Sequence, residues 1–210
     1  MSILSRLVQM AACCALLLIP PTVDADPRDQ ERWDKKYQED RYLFGKEAIP
    51  FLAAHVNLLP KGRALDLAMG EGRNGVFLAA RGFQVTGLDI SARGLEKAQR
   101  LAKEQGVTLE TQVVDLDSVE LEREAYEVIL CTYYLQRNLF PQIKNALKPG
   151  GMAVVETYTL DHLKYRPDFN RTYLIEQNEL LDLFRDFKII RYQVEDTGQA
   201  AYASIIAQRP

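Results

Sequence analysis

Short apolar segments alternate with amphipathic segments along most of the chain, and this alternation constrains the fold more than any other feature. Residues 64–68 and 83–88 have the pattern of strands, and residues 73–81 between them have a helical pattern. Strand–helix–strand units of this length place their strands in parallel, with right-handed crossovers. Because the apolar runs are short and rich in branched residues, we expect helices on both faces of the sheet.

The alternation continues towards the C-terminus. Further strands are predicted at residues 107–114, 126–132 and 152–158, and a helix is predicted over residues 174–187. A polar stretch joins two last apolar runs, at residues 188–194 and 201–207, as in an antiparallel hairpin. The predicted fold is therefore α/β, a doubly wound, mostly parallel seven-stranded sheet with a C-terminal antiparallel hairpin.

Residues 1–25 have the pattern of a leader that is separate from this fold. Arg6 precedes an apolar run at residues 7–19, Pro20 and Pro21 end the run, and small residues follow near Ala25. This is the layout of a secretory signal, and the run is shorter than the ~20 residues of a spanning helix. We expect export or membrane association through this segment, although the cofactor that the rest of the sequence predicts favours the cytoplasm.

Composition restricts the partners and the prosthetic groups. The 26 Lys and Arg residues against 29 Asp and Glu residues give a net charge of -3, so no general attraction to nucleic acid is expected. Beyond the leader Cys131 is the only cysteine, so cysteines supply neither a disulfide framework nor a zinc site. We expect one domain over residues 26–210, no bound metal, and membrane contact only through the leader. The oligomeric state stays open.

A glycine-rich turn follows the first predicted strand. Gly70, Gly72 and Gly75 form the pattern G-x-G-x-x-G at the start of a predicted helix. Glycines allow a tight turn and a close approach of the backbone to a ligand. Asp89 ends the next strand, where a carboxylate accepts hydrogen bonds from both hydroxyls of a ribose. A cofactor that contains a nucleoside is therefore predicted at this edge of the sheet.

Two classes of cofactor fit this pattern, a nicotinamide dinucleotide and S-adenosylmethionine (SAM). Asp66 lies in the strand before the turn, and Asp115 and Asp117 follow the third strand. Together with Asp89 they form an acidic crevice, which favours a cationic sulfonium over a dianionic pyrophosphate. An NAD(P)-binding oxidoreductase is the first alternative, although the sequence lacks a Tyr-x-x-x-Lys catalytic pair. An exported, non-catalytic binding protein with the same fold is the second.

Five segments resemble, in order, the motifs of class I SAM-dependent methyltransferases. They are residues 64–74 (ALDLAMGEGRN), 85–91 (VTGLDIS), 114–117 (VDLD), 126–131 (YEVILC) and 147–151 (LKPGG). Within this class the chain is similar to the small tellurite-resistance-type and thiopurine-type enzymes. The resemblance implies a methyltransferase that transfers the methyl group of SAM to a small-molecule acceptor by in-line displacement.

The resemblance also implies roles for individual residues. Gly70 and Gly72 would line the methionine and ribose of SAM, and Ile90 would pack on the adenine. The implied cofactor-binding residues are Asp66, Gly70, Glu71, Gly72, Asn74, Asp89, Ile90, Asp115, Leu116, Asp117, Cys131 and Thr132. No catalytic base stands out, and His162 and Tyr133 are the candidates because both follow strands at the expected acceptor side.

The family pattern divides the domain into three parts. These are an N-terminal helical lid at residues 26–60, a cofactor-binding core at 61–160, and an acceptor-side loop, helix and hairpin at 161–210. The sequence departs from the pattern at Ala68 and Met69, where relatives carry Gly-Cys or Gly-Ser.

Overall fold

The computed structural model describes residues 27–210. The predicted leader at residues 1–25, and the export that it implies, lie outside the described residues. The strands are β1 Arg63–Leu67, β2 Gln84–Asp89, β3 Glu110–Val113, β4 Tyr126–Thr132, β5 Leu147–Tyr158, β6 Lys188–Asp196 and β7 Ala201–Gln208. The α-helices are α1 Pro27–Lys36, α2 Pro50–His55, α3 Arg73–Ala79, α4 Ala92–Glu104, α5 Phe140–Ala146 and α6 Glu179–Leu183.

All strands join one seven-stranded sheet in the order β3-β2-β1-β4-β5-β7-β6. The first five strands pair in parallel, and β7 pairs antiparallel with both β5 and β6. The predicted fold class is therefore confirmed, including the hairpin. The strand order reverses beside β1, so the carboxyl ends of β1, β2 and β4 border the crevice in which such sheets bind ligands.

Apolar side chains cover both faces of the sheet, as the short runs rich in branched residues predicted. Along β4, Val128 and Leu130 pack with α2, α3 and α4, whereas Ile129 packs with α5 and α6 on the other face. Ser91 caps α4 by accepting a hydrogen bond from the Gly94 N–H at 3.1 Å. None of the helices in residues 27–210 is long and apolar enough to cross a membrane.

The predicted helix over residues 174–187 is wrong in most of its length. Leu174 is extended, and Ile175 forms a parallel bridge with Thr159 beside the end of β5. Asn178 has φ 64°, and the α-helix α6 covers only Glu179–Leu183. The extended conformation buries Leu174 and Ile175 against the sheet, so long-range packing outweighs the helical spacing of the apolar residues.

Several element boundaries also differ from the prediction. The third strand, β3, begins at Glu110 rather than at residue 107. The fifth strand, β5, begins at Leu147 rather than at residue 152, and it pairs with β4 through a register shift between Tyr126 and Val128.

Candidate cofactor and acceptor site

The glycine-rich turn connects β1 to α3 and requires glycine at two positions. Gly70 and Gly72 have φ 57° and 87°, in the left-handed region that favours glycine. A Cβ at Gly72 would lie 2.5 Å from the Cβ of Ala98, so the turn is in close contact with α4. The turn therefore lies at the carboxyl end of β1 with its backbone held close to α4.

The departure from the family pattern at Ala68 and Met69 has a structural counterpart. The Met69 side chain lies beside Gly75 and Gly87, where an added Cβ would approach Met69 to 2.2 Å and 2.0 Å. These two glycines therefore make room for a methionine where relatives carry a smaller residue. Ala68 itself has φ 52°, a conformation that strains any residue with a side chain.

Asp89 fixes the geometry of the turn. Its two carboxylate oxygens accept hydrogen bonds from the Gly70 N–H at 2.7 Å and from the Ser91 N–H at 2.8 Å. Burial raises the pKa of Asp89, and these two hydrogen bonds oppose that effect. Each oxygen keeps a second lone pair, with which Asp89 can accept the hydroxyls of a ribose.

Asp66 carries an unsatisfied carboxylate oxygen beside the turn. The residue is buried, and its Oδ2 has no hydrogen-bond partner within residues 27–210. Burial, with a further contribution from the Asp89 charge, raises the pKa of Asp66 to about 7. A buried acid with an unpartnered oxygen favours a cationic or hydrogen-donating ligand at this position.

Asn74 connects the turn to the end of β4. Its Nδ2 donates to Thr132 Oγ1 at 3.0 Å, and its Oδ1 accepts from the Ile49 N–H at 3.0 Å. Cys131 faces the other side, since its Sγ contacts the Tyr134 carbonyl oxygen at 3.4 Å within the α5–α6 core. Burial raises the pKa of Cys131 to about 12, so the thiol stays protonated. Thr132 therefore lies on the glycine-turn side of the sheet, and Cys131 does not.

The residues predicted near adenine lie beside the ends of β2 and β4. The Val114 N–H donates to the Asp89 carbonyl at 2.9 Å, which brings this segment close to Asp89. Leu116 is buried, whereas Asp117 is exposed and accepts from the Tyr134 hydroxyl at 3.2 Å. The segment Asp115–Asp117 thus begins close to the end of β2, which half-buried Ile90 follows.

Glu71 has a contact that sequence reasoning missed. It forms an ion pair with Lys97 of α4, and the two side chains are 3% and 2% exposed. Lys97 Nζ also donates to the carbonyls of Glu39 and Arg41, at 2.8 Å and 2.7 Å. The sequence signal was a lysine among the apolar positions of α4, but its partner is distant in sequence.

Residues 33–44, which we call the N-terminal strap, lie over the glycine turn and α4. Asp34 Oδ1 accepts from the Ser91 hydroxyl at 2.5 Å and from the Arg93 N–H at 3.2 Å. Tyr37 is 6% exposed, and its hydroxyl lies 2.8 Å from where a Cβ on Gly70 would be. The strap therefore forms one wall of the candidate cofactor site.

An aromatic cluster lies beyond the carboxyl ends of β4 and β5, on the expected acceptor side. Tyr158 stacks on His162 with ring centroids 4.1 Å apart and contacts Tyr133 at 4.9 Å. Phe169 closes the cluster at 5.3 Å from His162. Burial, with a contribution from the Arg166 charge, lowers the pKa of His162, which favours a neutral imidazole.

Arg73 joins the aromatic cluster to the glycine turn. Its guanidinium carbon lies 5.6 Å from the Tyr133 ring centroid, and its Nη1 donates to the Phe44 carbonyl at 3.0 Å. The two catalytic candidates from the sequence, His162 and Tyr133, are thus in one cluster, and Tyr133 is next to the turn.

Solved structures of other proteins share this fold. The crystal structure of TehB from Haemophilus influenzae superposes with a TM-score of 0.67 at 17% identity, over 86% of this chain and 67% of that one. The [4+2]-cyclase SpnF superposes with a TM-score of 0.70 at 16% identity, over 90% and 98%. The fold is that of the class I SAM-dependent methyltransferases, and it is shared with a cyclase.

The family profile described as "Tellurite resistance protein TehB" matches residues 29–204. The chain belongs to the TehB family, which confirms the resemblance and the predicted cofactor, SAM.

The "Ubiquinone biosynthesis O-methyltransferase" of Rickettsia felis is 33% identical over 117 residues, 52% of this chain and 46% of that protein. The "Probable S-adenosyl-L-methionine-dependent methyltransferase TehB" of Haemophilus influenzae is 24% identical over 145 residues, 65% of this chain and 49% of that protein. The chain spans about half the length of these curated relatives.

Proposed function

We propose that this chain transfers the methyl group of SAM to a small-molecule acceptor by in-line displacement at the methyl carbon. One observation carries the proposal: the glycine turn lies between the Asp66 and Asp89 carboxylates on one side and the aromatic cluster on the other. A cofactor on the turn would direct its reactive end towards the cluster. Family membership supports the same reaction.

The residues present fit SAM in three places. Asp66 Oδ2, unpartnered in the described part of the chain, suits the ammonium of the methionine moiety. Asp89 keeps lone pairs for the ribose hydroxyls, and Ile90 and Leu116 offer apolar contact to adenine. When bound, SAM supplies a methyl group on a cationic sulfur that is a good leaving group.

The protein contributes orientation and exclusion of water. Positioning two reactants is worth up to ~7–11 kcal/mol in favourable cases. The strap on one side and the aromatic cluster on the other enclose the site, which suits a small acceptor better than a polymer. The ring faces of Tyr133 and Tyr158 also suit a neighbouring sulfonium, because aromatic faces attract cations.

A nicotinamide dinucleotide fits the site less well. Its pyrophosphate would lie on the turn between Asp66 and Asp89, both buried acids. Ionised carboxylates there would repel the phosphates.

Acceptor-dependent formation of S-adenosylhomocysteine by the full chain tests this proposal. The assay supplies SAM with single acceptors: catechol, 2-mercaptoethanol, dimethyl sulfide and tellurite. We expect product with at least one acceptor, and an Asp89→Ala variant with weakened SAM binding as the matched control. Binding of SAM without product from any acceptor would contradict the proposal and favour a non-catalytic binding protein.

A further inference from the structure

A buried carboxylate that no motif predicted lies beside the acceptor side of the site. Glu156 is 1% exposed near the end of β5. It follows Val154 on the face that packs against α2–α4, since side chains alternate along a strand. It pairs in register with Thr132 of β4, which accepts the hydrogen bond from Asn74. Glu156 therefore lies on the strand next to Thr132, the residue of β4 that Asn74 links to the glycine turn.

Both oxygens of Glu156 accept hydrogen bonds from hydroxyls. Tyr133 Oη donates to Oε1 at 2.6 Å, and Ser204 Oγ, opposite Glu156 on β7, donates to Oε2 at 2.7 Å. The Tyr133 N–H also donates to the Glu156 carbonyl at 2.7 Å. Tyr133 has φ 56°, a strained conformation for tyrosine that turns its ring back towards Glu156.

The groups around Glu156 shift its pKa in opposite directions. Burial is the largest effect and raises the pKa of Glu156, and the Glu195 charge on β6 adds to it. The two hydroxyl hydrogen bonds and the Arg73 guanidinium lower the pKa of Glu156. Burial and the interaction with Glu195 raise the pKa of Tyr202 of β7, and the Glu156 charge adds a smaller contribution. The carboxylate is thus a stronger base than an exposed one, and it is hydrogen-bonded through a single phenol to the aromatic cluster.

We propose that Tyr133 and Glu156 form a proton-accepting pair for a protic methyl acceptor, one whose attacking oxygen, sulfur or nitrogen carries a hydrogen that is lost on methylation. This inference rests on the proposed function and narrows its acceptor class. Tyr133 is the catalytic residue, because its ring belongs to the aromatic cluster on the acceptor side and its Oη donates to Glu156. Glu156 is a positioning residue that acts through Tyr133.

The transfer balances without a further reagent. The acceptor atom attacks the methyl carbon, and the sulfur–methyl bond breaks with its electron pair going to sulfur. The acceptor's proton moves to Tyr133 Oη while the Tyr133 proton moves to Glu156 Oε1. The product is a neutral methylated acceptor, and the Glu156 proton leaves to water after product release. Because the phenol's own pKa is raised by burial and by Glu156, the phenol remains protonated between turnovers.

If the hydrogen bond between Tyr133 and Glu156 is purely structural, the expected results differ. If Glu156 only holds Tyr133 in place, Tyr133→Phe affects protic and aprotic acceptors equally. If the pair accepts a proton, the effect is confined to protic acceptors, and the rate falls at low pH as Glu156 becomes protonated. Ser204→Ala removes a hydrogen bond that favours the ionised carboxylate, so it shifts this acid limb to higher pH.

The test measures kcat and its pH profile with catechol and 2-mercaptoethanol as protic acceptors, and with dimethyl sulfide and tellurite as acceptors whose lone pairs carry no proton. We expect Tyr133→Phe to lower kcat about 100-fold or more for the protic pair, with an unchanged Kd for SAM. Glu156→Gln should abolish the acid limb. Tyr192→Phe, a half-buried tyrosine on β6, is the matched control and should keep the profile of the unmodified chain.

The outcomes separate this inference from the proposed function. Methylation of dimethyl sulfide or tellurite alone would overturn the inference and leave the proposed function standing. An equal loss for both acceptor classes, or an acid limb that persists in Glu156→Gln, would also overturn it. A chain that methylates none of the four acceptors would overturn the proposed function itself.

Discussion

Ala68 holds a backbone conformation that favours glycine, because its φ of 52° brings Cβ close to the following carbonyl. The residue stands where relatives carry glycine, so the chain keeps the family's turn with a strained residue. We expect Ala68→Gly to raise the free energy of unfolding by about 1 kcal/mol. Urea denaturation measures this change. A loss of stability would show that the alanine methyl packs favourably enough to offset the strain.

Asp66 makes the stability of the chain depend on pH. Its pKa in the folded chain is about 7, against 3.8 ordinarily, so folding favours the protonated carboxyl. The stabilising contribution of the protonated form is complete below about pH 4 and is lost as the pH rises through about 7. We therefore expect Asp66→Asn to gain stability relative to the unmodified chain between about pH 5 and pH 8. If the two chains differed in free energy of unfolding by the same amount across this range, the account of the buried Asp66 carboxyl would be contradicted.

One buried ion pair, between Glu71 in the glycine turn and Lys97 in α4, supports the strap through Lys97. Lys97→Met leaves the Glu71 charge buried and removes two hydrogen bonds to the strap. Removing one partner of such a pair costs about 3–5 kcal/mol, whereas replacing both is often close to neutral. We expect Lys97→Met to lose stability on that scale in urea, and the double variant with Glu71→Gln to recover most of it.

An exposed ion pair between Lys46 and Glu104 of α4 provides the control. Lys46 contacts Glu104 at 2.6 Å, with both side chains about half exposed. We expect Lys46→Met to change the free energy of unfolding by less than about 1 kcal/mol. A similar cost for Lys46→Met and Lys97→Met would show that the buried pair has no special role. The Kd for SAM should rise in Lys97→Met only, because only that variant removes hydrogen bonds to the strap.

Local sequence patterns were enough to predict the helices and strands that do not depend on long-range contacts. β4 runs over the predicted residues 126–132. Residues 174–187 were predicted as a helix because their apolar spacing carries no information about the bridge from Ile175 to Thr159. Local propensity was therefore outweighed by packing at the end of β5.

At the scale of the whole molecule, some residues of the site were predictable from the sequence and others were not. Asp66, Gly70 and Asp89 were predictable because motif order and strand ends place them together. The contact of Tyr133 with Glu156 depends on the register between β4 and β5, and on an unusual φ at Tyr133. Neither the register nor the dihedral angle is visible in a single sequence, so this contact was missed.

The central claim concerns the whole molecule: a SAM site at the carboxyl ends of β1, β2 and β4, closed by the strap. Isothermal titration of the full chain with SAM, S-adenosylhomocysteine and NADH tests it most directly. We expect SAM and S-adenosylhomocysteine to bind, NADH not to bind, and Asp89→Ala to weaken both interactions. Binding of NADH without binding of SAM would contradict the account and assign the glycine turn to a dinucleotide.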